Sequence, residues 1–205
     1  DNDGLGDLNY QWQRSGDGDD WNMIIGADED RYTLDDNDVG QQVRVQVAYT
    51  DLQGTREYVS SAASSAVANV NDAPTGGIVV EGTLSEGEEL FANASSLGDA
   101  DGLGSLSYRW ERSADGQSWS EISGADAASY TLTSLDVGHL LRVEASYVDL
   151  HGTSESVISS STSLITNVND GPEGSVVVTG TAVEDGTLSA DVSGSSDGDG
   201  LDGVF

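Results

Sequence analysis

The sequence predicts an all-β protein composed of β-sandwich domains that are joined end to end. Short segments with alternating apolar and polar residues are separated by turn-forming residues about every 8–12 positions, a spacing typical of sandwiches. No segment has the periodicity of an amphipathic helix. The pattern also repeats, because Asn69–Pro74 (NVNDAP) returns 98 residues later as Asn167–Pro172 (NVNDGP). A repeat of this length is large enough for one modest core, so we expect one domain per repeat.

The first predicted domain covers residues 1–70. Its clearest strand is Val43–Tyr49, in which Val and Tyr residues alternate with Arg, Gln and Ala. The turn residues Asp51–Gly54 follow this strand and predict a hairpin. The other strands predicted for this domain span residues 8–13, 21–25, 32–34 and 55–70.

The second predicted domain, residues 74–168, is the complete one. It begins with two strands that have no counterpart in the first domain, Ile78–Val80 and Leu90–Ala94. An acidic loop, Asp99–Gly104, follows, and from there the chain repeats the aromatic, turn and strand signatures of the first domain. We expect Trp110 to lie in the core, where sandwiches of this kind bury a tryptophan.

The third predicted domain, residues 172–205, contains counterparts of those first two strands only, at Val176–Val178 and Leu188–Val192. Unpaired strand edges readily accept a strand from another chain. One expectation is a head-to-tail homo-association, in which residues 172–205 of one copy complete residues 1–70 of its neighbour by strand addition. The alternative is that both terminal half-domains end at arbitrary boundaries. In either case, the adjacent repeats of the same chain are the immediate partners of each domain.

The composition favours metal cations over nucleic acids and membranes as partners. The 205 residues include 37 acidic and 7 basic side chains, a net charge of −30. A protein surface that binds nucleic-acid phosphates or anionic lipids needs clustered Lys and Arg side chains. Carboxylates prefer hard cations such as Ca²⁺, which also relieve their mutual repulsion. The chain has no Cys for disulfides or thiolate sites, and no apolar run of about 18 residues that would span a bilayer.

Acidic motifs at the two joints between domains, near Pro74 and Pro172, are the predicted Ca²⁺ ligands. In a sandwich whose first strand starts at the linker, the loop after the second strand and the last hairpin return to the same end. Oxygens from these loops and from the linker then supply most of the six to eight or so ligands that Ca²⁺ takes. The predicted ligands are Asn71, Asp72, Asp99, Asp101 and Asp149 at the first joint, and Asn169, Asp170, Asp197 and Asp199 at the second. The alternative is that these residues form Asx turns with their own backbone.

We expect no enzymatic activity. Catalytic carboxylate pairs need an apolar pocket that separates their pKa values, whereas the carboxylates of this chain lie in Gly-rich loops. The sequence contains no nucleophile motif and no phosphate-binding loop.

Over its whole length, the chain resembles the immunoglobulin-like tandem repeats of very large secreted bacterial adhesins, many of which are exported by type I secretion with RTX repeats. The resemblance rests on GTLSEGEEL, DADGLGSLSYRWERSADGQSW, YTL, DVG and RVEASYVDLHGTSES. The motifs NVNDAP and DADG resemble the linker and acidic loop of cadherin-like domains. The resemblance implies immunoglobulin-like (cadherin-like) sandwiches with Ca²⁺ at the joints, and it implies that Glu86 reaches the second joint. Cadherin linkers carry a further acidic residue where this chain has Asn69 and Asn167.

The resemblance also implies a function. We expect a Ca²⁺-stabilised extender repeat that spaces the parts of a secreted adhesin at the bacterial cell surface and serves cell adhesion. One alternative is an extracellular filament subunit joined by strand complementation. Another is a glycan- or protein-binding module, for which the aromatic residues Tyr58 and Trp119 are the candidates.

Overall fold

The computed structural model describes residues 4–199, which form β-strands, turns and two single-turn 3₁₀ helices. The prediction of an all-β protein is confirmed. The predicted acidic-loop residues Asp1–Asp3 and Gly200–Leu201 lie outside the described residues. The strands are β1 (Asn9–Ser15), β2 (Asn22–Met23), β3 (Gln42–Thr50), β4 (Arg56–Ser60), β5 (Val79–Gly82), β6 (Glu89–Asn93), β7 (Ser107–Ser113), β8 (Ser120–Glu121), β9 (Ser129–Thr131), β10 (Leu140–Val148), β11 (Ser154–Ile158), β12 (Val177–Gly180) and β13 (Leu188–Asp191).

The chain divides into two compact units. The first contains the residues up to Ala73 together with Ala100–Gly102, and the second contains Pro74–Asp99 and the residues from Leu103 onward. Within the described residues, no helix combines the length and the apolar character that a transmembrane span requires.

The first unit is built on one antiparallel sheet with the strand order β2-β1-β3-β4. Trp12 of β1 lies opposite Val45 of β3, so the alternating residues of these two strands share one face. A small buried cluster of Ile24, Ala27 and Val43 packs there against the partly buried Trp12.

The second unit has a β-sandwich-like arrangement of two antiparallel sheets, with the strand orders β11-β10-β7-β8 and β5-β6-β9. One hydrophobic core joins them, in which Leu90 of β6, Trp110 of β7 and Val143 of β10 are all 0 % exposed. Trp110 is therefore in the core, as predicted, and its indole N–H donates to the Ala127 carbonyl at 3.0 Å. The antiparallel hairpin β12–β13 belongs to the same unit, and its side chains are exposed.

The prediction of one continuous strand over residues 55–70 is wrong, because β4 ends at Ser60. Beyond it, the hydroxyls of Ser61 and Ser64 accept hydrogen bonds from the backbone N–H groups of Val45 and Val43. Serine hydroxyls compete with backbone carbonyls for such donors, and here they accept the N–H groups of Val43 and Val45. The N–H groups of Ser61 and Ser64 still donate to the Val45 and Val43 carbonyls, both at 2.9 Å.

The prediction of a strand over residues 32–34 is also wrong, although two of the three counterpart residues, Tyr130 and Thr131, lie in β9 of the second unit. β9 exists because it pairs with β6, where Tyr130 lies opposite Leu90. The described part of the first unit has no strand equivalent to β6, so the same Tyr-Thr-Leu sequence has no partner there.

Each unit contains a fully buried carboxylate at the end of a 3₁₀ helix, Asp38 in Asp36–Asp38 and Asp136 in Ser134–Asp136. Asp136 accepts hydrogen bonds from the Tyr130 hydroxyl at 2.8 Å and from an Arg112 guanidinium N–H at 3.2 Å. Burial, and then the bond to Asp136, raises the pKa of Tyr130 to about 12. The repeat of this arrangement in both units indicates a structural role for the buried carboxylate.

We predict that Asp136→Asn lowers the free energy of unfolding of the second unit by about 2–4 kcal/mol, because it leaves Arg112 without its buried counter-charge. Urea unfolding followed by tryptophan fluorescence measures this loss. The exposed Asp126→Asn removes the same charge and serves as the control, with a change within about 0.5 kcal/mol. Equal effects of the two substitutions would contradict the structural role of Asp136.

Candidate metal centre

Glu86 is held in place by the pairing of its turn with a distant segment of the second unit. The Glu86 N–H donates to the Thr166 carbonyl, and the Thr166 N–H donates to the Leu84 carbonyl, both at 3.0 Å. Gly87 follows with a φ of +79°, a left-handed conformation that glycine adopts without strain. This pairing places the Glu86 carboxylate close to the residues that follow Thr166.

Asp170 and Asp199 are joined by a backbone-to-carboxylate hydrogen bond. The Asp170 N–H donates to Asp199 Oδ2 at 2.7 Å, and the Asn167 side-chain amide donates to Asp199 Oδ1 at 2.7 Å. An antiparallel bridge between Glu173 and Ser196 brings the two stretches together. Both oxygens of Asp199 thus fasten the Asn167–Pro172 linker to the acidic loop.

Glu86, Asp170 and Asp199 each contribute one carboxylate oxygen to a group whose members all lie within 4.8 Å of one another. Glu86 is partly buried, and its Oε2 atom is buried without a hydrogen-bond partner. Two like charges 4 Å apart repel by about 1 kcal/mol in water and by about 4 kcal/mol at an effective dielectric constant of 20. None of the ion pairs among residues 4–199 involves these three carboxylates, so arginine does not offset their repulsion.

The chemistry of this donor group fits Ca²⁺. All three donors are carboxylate oxygens, which suit hard cations, and the group has neither the His nor the Cys ligands that zinc prefers. Ligands on opposite sides of a Ca²⁺ ion at about 2.4 Å are about 4.8 Å apart, so oxygens that lie within this distance of one another can bind one ion. A bound cation would also give the buried Glu86 Oε2 the partner that the protein does not provide.

The first unit contains the same backbone-to-carboxylate bond 98 residues earlier. The Asp72 N–H donates to Asp101 Oδ2 at 2.7 Å, and Asp101 is buried. The structure thus places the Asp101 carboxylate against the backbone of Asp72, two of the residues predicted as ligands at the first joint. The recurrence of this bond at Asp170 and Asp199 identifies it as a property of the repeated motif.

In the second unit, Asp99 and Asp149 each accept hydrogen bonds from neighbouring residues. Asp99 Oδ2 accepts a hydrogen bond of 2.5 Å from the Tyr147 hydroxyl. Asp149 is 5 % exposed, and its Oδ1 accepts from the backbone N–H groups of His151 and Thr153, both at 2.8 Å. Its Oδ2 is buried and has no hydrogen-bond partner, so it is a second carboxylate oxygen that is suited to a cation.

The remaining predicted ligands make local contacts. The side-chain amides of Asn71 and Asn169 donate to the carbonyls of Asp72 and Asp170, at 3.1 and 2.7 Å. Asp197 Oδ1 accepts from the Asp199 N–H at 3.0 Å, which is the Asx-turn geometry of the alternative interpretation, and Asp197 is not a member of the three-carboxylate group.

Two residues that hold the predicted ligands were not among the predicted site residues. Asn167 belongs to the repeated NVND motif, so its role had a sequence signal in the repeat itself. Tyr147 lies in the alternating pattern of β10, and that pattern indicates only that the residue is buried, not that its hydroxyl reaches Asp99.

Comparison with known proteins identifies similarity over one repeat. A protein-family profile described as a domain of unknown function (DUF8696) matches residues 80–169. The matched segment begins in β5 and ends in the Asn167–Pro172 linker, so it coincides with the sandwich-like part of the second unit. No curated protein matches the chain.

We predict that Asp149 stabilises the second unit in a pH-dependent manner in the presence of EDTA. Burial raises the pKa of Asp149, but hydrogen bonds from the backbone N–H groups of Thr153 and His151 outweigh it and hold the pKa below its ordinary value of 3.8. A lowered pKa stabilises the folded state above that ordinary value, and the effect is lost as the pH falls through the lower, folded-state value.

The measurement is the difference in unfolding free energy between the wild type and Asp149→Asn. The wild type is expected to be more stable at neutral pH, and the difference should shrink below about pH 4. Asp126→Asn is the control for the loss of one exposed carboxylate. A difference that is constant with pH would contradict the role of the ionised form.

Proposed function

We propose that the chain is a Ca²⁺-stabilised extender segment of a large secreted adhesin at the bacterial cell surface, made of immunoglobulin-like, cadherin-like sandwiches joined end to end. The single observation that carries the Ca²⁺ part is the group formed by Glu86, Asp170 and Asp199. The resemblance of its sequence motifs to adhesin repeats is the basis for proposing the extracellular setting and the role in cell adhesion.

The group supports this function because its members come from three separate stretches of chain. Glu86 belongs to the turn before β6, Asp170 to the linker, and Asp199 to the acidic loop that follows β13. A cation bound by all three would tie the linker to the preceding sandwich and to the following acidic loop at once. Such an ion would cross-link these segments and stabilise the fold of a chain that has no disulfides.

The physical effect of Ca²⁺ follows from charge. Without a cation, three carboxylates within 4.8 Å of one another repel, and this repulsion favours separation of the segments that carry them. Extracellular Ca²⁺ sites have dissociation constants of about 10⁻⁴–10⁻³ M, so they fill at millimolar Ca²⁺. Binding to the folded state alone stabilises it, by about 2.7 kcal/mol when free Ca²⁺ is about 100-fold above the dissociation constant.

The contacts of the aromatic candidates favour the structural role over a glycan-binding module. A carbohydrate platform needs an open aromatic face, and the Arg142 guanidinium lies over the Trp119 ring at 4.2 Å from its centroid. Arg56 lies over the Tyr58 ring at 5.3 Å. Each of these cation–π contacts covers one face of the ring and leaves less aromatic surface for a sugar to stack on.

We predict that Glu86→Gln weakens Ca²⁺ binding about tenfold or more, because the neutral amide is a poorer ligand than a carboxylate. Isothermal titration calorimetry measures the affinity, and thermal melts with Ca²⁺ or EDTA measure the stabilisation. The exposed Glu88→Gln, two residues away, removes the same charge and should retain the affinity of the wild type. If both variants bind alike, or if the wild type shows no heat of binding and no rise in Tm, the proposed site is wrong.

Gly198→Ala tests the geometry of the site without a change in charge. A Cβ at residue 198 would lie 2.3 Å from Asp170 Oδ2, so the Asp170 carboxylate has to move. We expect a severalfold weaker affinity for Ca²⁺, with the unfolding free energy in EDTA unchanged within about 0.5 kcal/mol. If Gly198→Ala binds Ca²⁺ with the affinity of the wild type, Asp170 is not a ligand.

A further inference from the structure

The side chain of Asn167 contacts the three-carboxylate group through Asp199. Its amide N–H donates to Asp199 Oδ1 at 2.7 Å, while the Asp170 N–H donates to Asp199 Oδ2 at the same distance. Among residues 4–199, no other side chain donates a hydrogen bond to a carboxylate of this group. The group thus receives its side-chain donor from an uncharged residue.

The backbone that leads into Asn167 is fixed to the turn that carries Glu86. The Thr166 N–H and the Thr166 hydroxyl both donate to the Leu84 carbonyl, at 3.0 and 2.9 Å. The Glu86 N–H donates to the Thr166 carbonyl at 3.0 Å. Asn167 is the next residue, so its backbone is attached to the Glu86 turn and its side chain is attached to the acidic loop through Asp199.

An amide at this position orders Asp199 without adding charge. The carboxylates of the group lie within 4.8 Å of one another and repel when no cation is present. A hydrogen bond to an ionised acceptor is about twice as strong as one between neutral groups. The Asn167 amide therefore opposes the repulsion that would move Asp199 away from the linker.

An aspartate at this position would have the opposite effect. Its side chain has nearly the same size, but an ionised carboxylate accepts hydrogen bonds and cannot donate one. Two carboxylates would then meet where the amide now donates to Asp199, and the number of negative charges beside the ion would rise from three to four. The affinity of a Ca²⁺ site depends on both the charge of its ligands and the rigidity of the site.

We propose that Asn167 is a positioning residue that sets the Ca²⁺ dependence of the linker. Its neutral amide keeps Asp199 against the linker when the cation is absent, and it limits the site to three carboxylates when the cation is bound. The linker thus stays attached to the acidic loop at low Ca²⁺, at the cost of a weaker site. This inference rests on the proposed function, because it concerns the regulation of the same Ca²⁺ site.

The first test compares Asn167→Asp with the wild type in the full chain. The variant should bind Ca²⁺ about tenfold more tightly in isothermal titration calorimetry, because a fourth carboxylate lies beside the ion. In EDTA, its Tm should be lower, and its Asp170 amide should exchange hydrogen about tenfold faster by NMR, since repulsion replaces a hydrogen bond. A residue with only a structural role would not change affinity and cation-free stability in opposite directions.

The second test is Asn167→Ala, which removes the donor and leaves the charge of the site unchanged. Asp199 then loses one of the two hydrogen bonds that hold it. We expect a severalfold weaker affinity for Ca²⁺, because the site is less rigid, and faster exchange of the Asp170 amide in EDTA.

Asn93→Asp is the matched control. The Asn93 side-chain amide donates to Glu81 Oε1 at 2.7 Å, outside the three-carboxylate group. The substitution adds the same charge and also places two carboxylates in contact, so the Tm in EDTA should fall. The affinity for Ca²⁺ and the exchange rate of the Asp170 amide should remain those of the wild type.

The outcomes separate this inference from the proposed function. If the wild type binds Ca²⁺ and Asn167→Asp binds it no more tightly, or Asn167→Ala binds it equally well, the role of Asn167 is wrong and the proposed function stands. If the wild type shows no heat of binding and no rise in Tm, the proposed function fails. The exchange of the Asp170 amide in EDTA then still decides whether Asn167 orders the linker, and a rate that neither substitution changes would overturn that role.

Discussion

Repulsion between carboxylates is the constraint on which the rest of this structure depends. The chain has 37 acidic and 7 basic residues. In the second unit, the arginines that form ion pairs lie in the strands β7 and β10 and pair with carboxylates of the sandwich. Arg112 neutralises the buried Asp136, and Arg142 pairs with Glu111. The group formed by Glu86, Asp170 and Asp199 has no such partner among the described residues. A divalent cation is the simplest source of the missing positive charge, and this requirement underlies the proposed function.

Backbone hydrogen bonds hold the acidic groups in position in the absence of a cation. In both copies of the motif, an acidic-loop carboxylate accepts the N–H of a linker Asp at 2.7 Å, Asp101 from Asp72 and Asp199 from Asp170. This bond orders the linker and limits the conformational freedom that a cation has to remove on binding. A flexible acidic tail would bind Ca²⁺ more weakly for the same number of carboxylates, because more chain entropy would be lost.

The sequence was sufficient to predict the features that depend on repetition and periodicity. The repeated Trp, at the position where sandwiches of this kind bury a tryptophan, predicted that Trp110 lies in the core. The repeated acidic motifs predicted that Asp72 lies near Asp101 and Asp170 near Asp199. Glu86 was identified only through resemblance to cadherins, since no local pattern links it to residues more than 80 positions away.

Features that depend on tertiary partners were not predictable. The Tyr-Thr-Leu sequence of residues 32–34 predicted a strand because it repeats at β9. However, β9 forms by pairing with β6, and residues 32–34 have no such partner among the described residues. The serine hydroxyls that accept backbone N–H groups of β3 beyond the end of β4 cannot be recognised from a pattern of apolar residues. The unpartnered oxygens of Asp149 and Glu86 arise from burial by residues that are distant in sequence, so only the three-dimensional structure identifies them.

A crystal structure of the chain grown in millimolar Ca²⁺ tests the central claim most directly. We expect an ion within about 2.3–2.6 Å of carboxylate oxygens from Glu86, Asp170 and Asp199, with other oxygens completing about six to eight ligands. Density that accounts only for water, with the three carboxylates turned away from one another, would contradict the account.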